Sequence, residues 1–191
     1  MFLSCCEVLV GPANHPDVST PALAVGARGQ ETFVALLREH GPMLAQVVHA
    51  YGWTEDERKD LQQEVLAQLW RAFPSYDSAR PFSTWMYRIA LNVAISSARR
   101  RRELVPLEEA TIASPEEPHG GELEQRLGAL RRLVAGLPPL ERALVLLYLE
   151  ERSQKEIAEV LGISETNVST RIHRIKGRLR ERMTEAEGAG P

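Results

Sequence analysis

Helical periodicity runs through most of the chain, and alternating runs of strand type are absent from it. Between Asp60 and Phe73, the residues Leu61, Val65, Leu66, Leu69, Trp70 and Phe73 fall on one side at 100° per residue, which predicts an amphipathic helix with that side in a core. Between Phe82 and Arg102 a second stripe is formed by Phe82, Met86, Ile89 and Val93. Beside it lies a strip of different character, Trp85, Arg88, Asn92, Ser96 and Arg99. Near the C-terminus Val168, Ile172, Ile175, Leu179 and Met183 recur at spacings of 4, 3, 4 and 4 and predict a third helix with a narrow buried face. The fold class expected is all-α.

The punctuation between 153 and 164 is more specific. Ser153-Gln-Lys-Glu156 has the form of a capping box, in which the serine accepts from the N3 amide and the glutamate reaches back to the cap. A short helix through Ile157, Ala158, Val160 and Leu161 then stops at Gly162, suited to a left-handed backbone, and Ser164 caps the longer helix that follows. Helix, short glycine-containing turn, helix is the helix-turn-helix arrangement.

Length and charge set the organisation. The chain has 191 residues with 43% hydrophobic and 26% charged positions, a composition that supports one or two small cores rather than full-length disorder. Its net charge of -3 hides segregated blocks: Arg99–Arg102 is unbroken basic sequence, residues 103–121 carry five glutamates without a lysine or arginine, and residues 171–182 hold Arg171, Arg174, Lys176, Arg178, Arg180 and Arg182 against Glu181 alone. Two small helical domains joined by a flexible acidic linker are therefore expected. The divisions are a variable, disordered tail over 1–28, a helical module over 29–102, the linker over 103–121, the helix-turn-helix module over 122–184 and a short tail over 185–191. No stretch has the roughly 18–20 uncharged apolar residues of a spanning helix, so membrane insertion is not expected, and the N-terminal apolar segment lacks the basic region of an export signal. A cytoplasmic location follows as the expectation.

Catalytic signatures are missing. The adjacent Cys5 and Cys6 suit neither a disulfide staple nor a zinc site, and the histidines His15, His40, His49, His119 and His173 show no metal-ligand spacing. Phosphate-loop, dinucleotide-binding and nucleophile-elbow strings do not occur. No catalytic residue, metal or cofactor is expected. Two faces instead suit nucleic acid. The Trp85–Arg88–Asn92–Arg99 strip joins an aromatic that stacks on an unpaired base to an amide for base edges and guanidinium groups for phosphates, although Trp85 and Tyr87 serve equally well as core-filling residues. The helix after Ser164 presents Thr166, Asn167 and Thr170, then His173 and Arg174, flanked by Ser169, Arg171, Lys176 and Arg178, the polar-then-basic order of a helix lying in a major groove. The line Asp60, Gln63, Glu64 and Arg71 opposite the first core stripe reads, on residues alone, as a solvated face.

The segments DLQQEVLAQLWRAF, FSTWMYRIALNVAISSARRRR and LPPLERALVLLYLEERSQKEIAEVLGISETNVSTRIHRIKGRLRE together resemble the two conserved blocks of extracytoplasmic-function sigma factors of the sigma-70 family, over roughly residues 30–102 and 122–182. The resemblance implies a chain that is not an enzyme but binds core RNA polymerase and directs promoter-specific initiation. It assigns core-polymerase binding to Asp60, Gln63 and Glu64. Minus-10 recognition and melting fall to Trp85, Tyr87, Arg88, Asn92 and Arg99, with residues 75–83 as the loop around the pocket for a flipped base. Minus-35 reading falls to Ser169, Thr170, His173 and Arg174, and phosphate contacts to Arg171, Lys176 and Arg178. Its implied partners are core polymerase and promoter DNA; it also admits an anti-sigma factor, on which the sequence is silent, and a free monomer.

Departures from the family pattern are Leu91, Ser96 and the pair Glu151–Arg152 in place of a glycine and a hydrophobic residue. Alternatives left open are an autonomous helix-turn-helix regulator acting as a symmetric dimer and a sigma-like decoy without promoter activity.

Overall fold

The computed structural model describes residues 27–104, 130 and 132–188, and these are helical with tight connections. The tail before residue 27, with Cys5 and Cys6, and the linker from 105 to 121 lie outside the described residues. The first module comprises α1 (Ala27–Tyr51), α2 (Glu55–Ala72), a single 3₁₀ turn (Phe73–Ser75) and α3 (Phe82–Leu104). The second comprises α4 (Pro139–Leu149), α5 (Gln154–Leu161) and α6 (Glu165–Gly188).

Local sequence sets the boundaries. Thr54 caps α2 through a capping box with Glu57: the Glu57 amide donates to Thr54 Oγ1 at 3.2 Å and the Glu57 carboxylate accepts from the Thr54 amide at 3.2 Å. The turn before it is compressed at the buried Gly52, where a Cβ would fall 2.6 Å from Arg58 Cγ and 3.0 Å from Arg58 Cα. In the second module Ser153 and Glu156 form the expected capping box, Gly162 ends α5 at φ 65°, and Ser164 accepts from the Asn167 amide at 3.2 Å. The helix-turn-helix is thus held by the residues that marked it in the sequence.

The α2 stripe packs as expected, with Leu61, Val65 and Leu69 buried. On α3 the picture is broader. Phe82 and Met86 are buried, but so are Tyr87, Ala90, Leu91, Ala94 and Ile95, while Ile89 and Val93 are only half-buried. The cause is that α3 is covered twice, by α1 and α2 of its own module and by α4 and α5 of the other. The two modules are docked, and their apolar residues form one continuous core running from Phe33 and Val47 through Met86 and Leu91 to Leu144, Ile157, Val168 and Ile175.

Candidate nucleic-acid interface

The acidic-amide line of α2 is on the surface. Asp60 and Gln63 are exposed, whereas Glu64 is half-buried and accepts from Arg100 Nη2 of α3 at 3.2 and 3.4 Å. Two turns earlier Glu57 pairs with Arg101 Nε at 3.3 Å, and Arg101 Nη1 donates to the Tyr51 carbonyl. The basic run at the end of α3 therefore folds back onto α2 in part, and Arg99 points outward.

On α3 the aromatic residue of the strip belongs to a ring cluster. Trp85 contacts Phe82 at 5.2 Å, Tyr76 at 5.1 Å and Phe73 at 6.3 Å between centroids, and it stays half-buried. Tyr76 also donates its hydroxyl to the Arg80 carbonyl at 2.8 Å, and the Ala79 amide donates to Asp77 Oδ1, so the 75–83 loop is a braced turn beside that cluster. Arg88 and Asn92 are half-buried on the same helix. Tyr87 lies elsewhere: it is 1% exposed, under Arg152 of the second module, and burial with Glu150 alongside pushes its hydroxyl pKa up to about 12. In this docked arrangement Tyr87 packs between the modules and offers no surface to DNA.

The α6 face is held by residues of α6 itself and of α4. Ser169, Thr170, His173 and Arg174 are exposed, and Thr170 bonds back to the Thr166 carbonyl at 2.9 Å. Arg171 Nε donates to Asn167 Oδ1 at 2.7 Å. Lys176 Nζ donates to the Tyr148 hydroxyl at 3.1 Å and lies 5.0 Å from that ring's centroid, a cation–π contact from α4. Arg178 is ion-paired with Glu141, also on α4. Asn167, Thr170, Arg171, His173, Arg174 and Gly177 line an open groove together with the Glu141–Arg178 pair. Sequence reasoning did not single out Glu141 or Tyr148. They meet their partners 37 and 28 residues away, and neither separation leaves a periodic signal.

The turn between α4 and α5 contains the one non-glycine at positive φ among the described residues, Glu151 at φ 56°, where the family pattern has glycine. Among the described residues no group of three or more histidine, cysteine or acidic side chains is placed to hold a metal ion, and no helix is long and apolar enough to cross a membrane.

Family models match in two places: sigma-70 region 2 over residues 30–103 and sigma-70 region 4 over residues 127–179. Among curated proteins the chain is 32% identical to the RNA polymerase sigma factor CnrH of Cupriavidus metallidurans, over 87% of this chain and 94% of that one. It is 29% identical to the extracytoplasmic-function sigma factor SigE of Mycolicibacterium smegmatis, over 90% of this chain and 70% of that one. Among solved structures, CnrH in complex with the cytosolic domain of CnrY superposes with a TM-score of 0.60 at 29% identity, covering 82% of this chain and 90% of that one.

Proposed function

Because the chain belongs to the sigma-70 family, in its extracytoplasmic-function group, and is an RNA polymerase sigma factor that directs promoter-specific transcription, we propose how its surfaces divide that work. Asp60, Gln63 and Glu64 form the grip on core polymerase, with Arg100 giving up part of its pairing to Glu64 when the polymerase supplies its own cation. Trp85, Arg88, Asn92 and Arg99, with the braced 75–83 loop, take the unstacked minus-10 strand, where pocket contacts offset a few kcal/mol of unstacking per base. Ser169, Thr170, His173 and Arg174 read minus-35 base edges; Arg171 and Lys176, fixed by Asn167 and Tyr148, reach phosphates.

The observation that carries this reading is the pairing of a capped helix-turn-helix, whose outward face is polar and then basic, with an exposed acidic-amide line on a separate helix. A DNA-binding module alone has no use for the second. The chain acts in the cytoplasm, where polymerase and promoters meet, and contributes recognition while polymerase performs the chemistry. A regulatory protein partner is supported by the solved complex of the relative CnrH with the cytosolic domain of CnrY. The test is Glu64→Ala: it lowers affinity for core polymerase at least fivefold and leaves duplex binding by the helix-turn-helix unchanged. Equal losses of both, or loss of duplex binding alone, would remove the assignment.

A further inference from the structure

Two hydrogen bonds of α6 have the same chemistry at opposite edges of the helix. At one edge Arg171 Nε donates to Asn167 Oδ1 at 2.7 Å; at the other Lys176 Nζ donates to the Tyr148 hydroxyl oxygen at 3.1 Å and lies 5.0 Å from the centroid of that ring. In each pair a cation engages the acceptor atom of a neutral partner. What the partner keeps is hydrogen. The Asn167 amide is planar, so an oxygen held against the guanidinium leaves the Nδ2 hydrogens directed elsewhere, and a phenol that accepts from an ammonium retains its own O–H to donate. The charge of the cation polarises each pair and strengthens the remaining donors.

Position decides what those donors meet. Asn167 and Lys176 are nine residues apart, which at about 100° and about 1.5 Å per residue turns α6 by about 180° and advances it by about 14 Å. Val168 and Ile175 fill the side between them that faces the core, while Thr170 and His173 are exposed on the side that faces out. The two pairs therefore flank the reading face. A helix about 10–12 Å across fills a major groove about 12 Å wide, so its flanks lie against the groove walls, which are the phosphates of opposite strands. Tyr148 is 43% exposed at its edge, and Asn167 lines the open groove at the other.

Resting on the function proposed above, we propose that Asn167 and Tyr148 are themselves phosphate-binding residues. Each joins its cation in a two-donor clamp on one phosphate, Asn167 with Arg171 on one strand and Tyr148 with Lys176 on the other. The Arg171 bond argues against a base-reading role for Asn167: an asparagine reads adenine by accepting through Oδ1 while donating through Nδ2, and here Oδ1 is engaged. Neutral donors add affinity without displacing counterions, so each clamp has a component that salt does not erode. Together the clamps fix the rotation and depth of α6 in the groove, and Ser169, Thr170, His173 and Arg174 then meet the base edges in one register.

The experiment uses minus-35 duplexes enriched from a random library by the parent holoenzyme and read by fluorescence anisotropy between about 50 and 200 mM salt. Tyr148→Phe keeps the ring beside Lys176 and removes only the hydroxyl; Asn167→Ala removes the amide and leaves Arg171 in place. Each is expected to lower affinity about three- to tenfold with an unchanged logarithmic salt slope, whereas Lys176→Gln lowers the slope by about 0.9. Replacing phosphates one at a time by neutral methylphosphonates then locates the partners: Tyr148→Phe loses its effect at one position, and Asn167→Ala at a position on the other strand. An affinity within about twofold of the parent's overturns the contact for that residue. A slope lowered by about 0.9 marks a residue that only positions its cation, and it overturns the contact as well. A changed base preference with Asn167→Ala, or both sensitive phosphates on one strand, overturns the clamp arrangement. Failure of the parent holoenzyme to enrich any duplex overturns instead the function on which the inference rests.

Discussion

Arg174 and Arg178 stand one turn apart on α6, and their surroundings predict opposite consequences of truncation to alanine. Arg174 is exposed on the open groove beside Thr170 and His173, so its loss touches little of the fold and changes stability by no more than about 0.5 kcal/mol. Losing a good base contact costs about 1–3 kcal/mol, a roughly 5- to 150-fold fall in minus-35 affinity at about 1.4 kcal/mol per tenfold. Arg178 is already neutralised by Glu141, whose side chain is only 19% exposed. Its removal separates α4 from α6 by one partly exposed ion pair, worth about 0.5–1 kcal/mol of stability, and releases few counterions from DNA. The assay is fluorescence anisotropy of holoenzyme on a minus-35 duplex between about 50 and 200 mM salt, where each lost phosphate contact lowers the logarithmic slope by about 0.9. Thermal unfolding of the free variants is measured alongside. Arg174→Ala is expected to weaken binding without moving the midpoint, and Arg178→Ala to lower the midpoint with an unchanged salt slope. The reverse pattern would show that the Glu141 pair opens on DNA and that Arg178 is the reader.

Three further outcomes follow from local geometry. Ser153→Ala removes the acceptor of the Glu156 amide and lowers stability by about 1 kcal/mol, read as a fall in urea midpoint. Hydrogen bonds from the Ser153 side chain and backbone hold the Glu156 carboxyl below its ordinary value of 4.5; its folded pKa is depressed, so its contribution is full above pH 4.5 and disappears as pH falls through the folded value. The stability difference between the parent chain and Glu156→Gln should therefore be present at pH 7 and vanish in acid; a difference that grows in acid would refute the sign. Glu151→Gly relieves a left-handed backbone costing about 1–2 kcal/mol, offset by about 0.4–1 kcal/mol of added unfolded-state entropy, and should raise the midpoint slightly. A lower midpoint would show that the Glu151 side chain contributes more than its backbone strain costs.

What the sequence discloses is governed by distance along the chain. The caps at Ser153 and Ser164, the stop at Gly162 and the buried stripe of α2 are decided within one or two helical turns, and all three are legible. The Thr54–Glu57 capping box is equally local; its TEDE string carries the signal, although the sequence reading began its helix only at Asp60. The second covering of α3 is not local. Leu91 reads as a departure beside Asn92, yet it is buried in the docked core. Tyr87 reads both as a melting residue by resemblance and as a core-filling one, and it packs under Arg152, 65 residues later. Arg142 gives no hint of burial, because its acceptors are backbone carbonyls, Ala50 of the other module and Ala135 and Leu137 of its own, and its rings are Tyr51 and Trp53. A side chain whose partner is a backbone oxygen leaves no complementary residue to find.

The central claim is that this chain lends promoter choice to core polymerase. Mapping of 5′ ends of transcripts made in vitro by core enzyme on genomic DNA, with and without the purified chain, tests it most directly. The account predicts discrete start sites that appear only with the chain, share a pair of upstream elements and disappear with Glu64→Ala. Start sites unchanged by the chain, together with protection of a palindromic site by the chain alone, would contradict it.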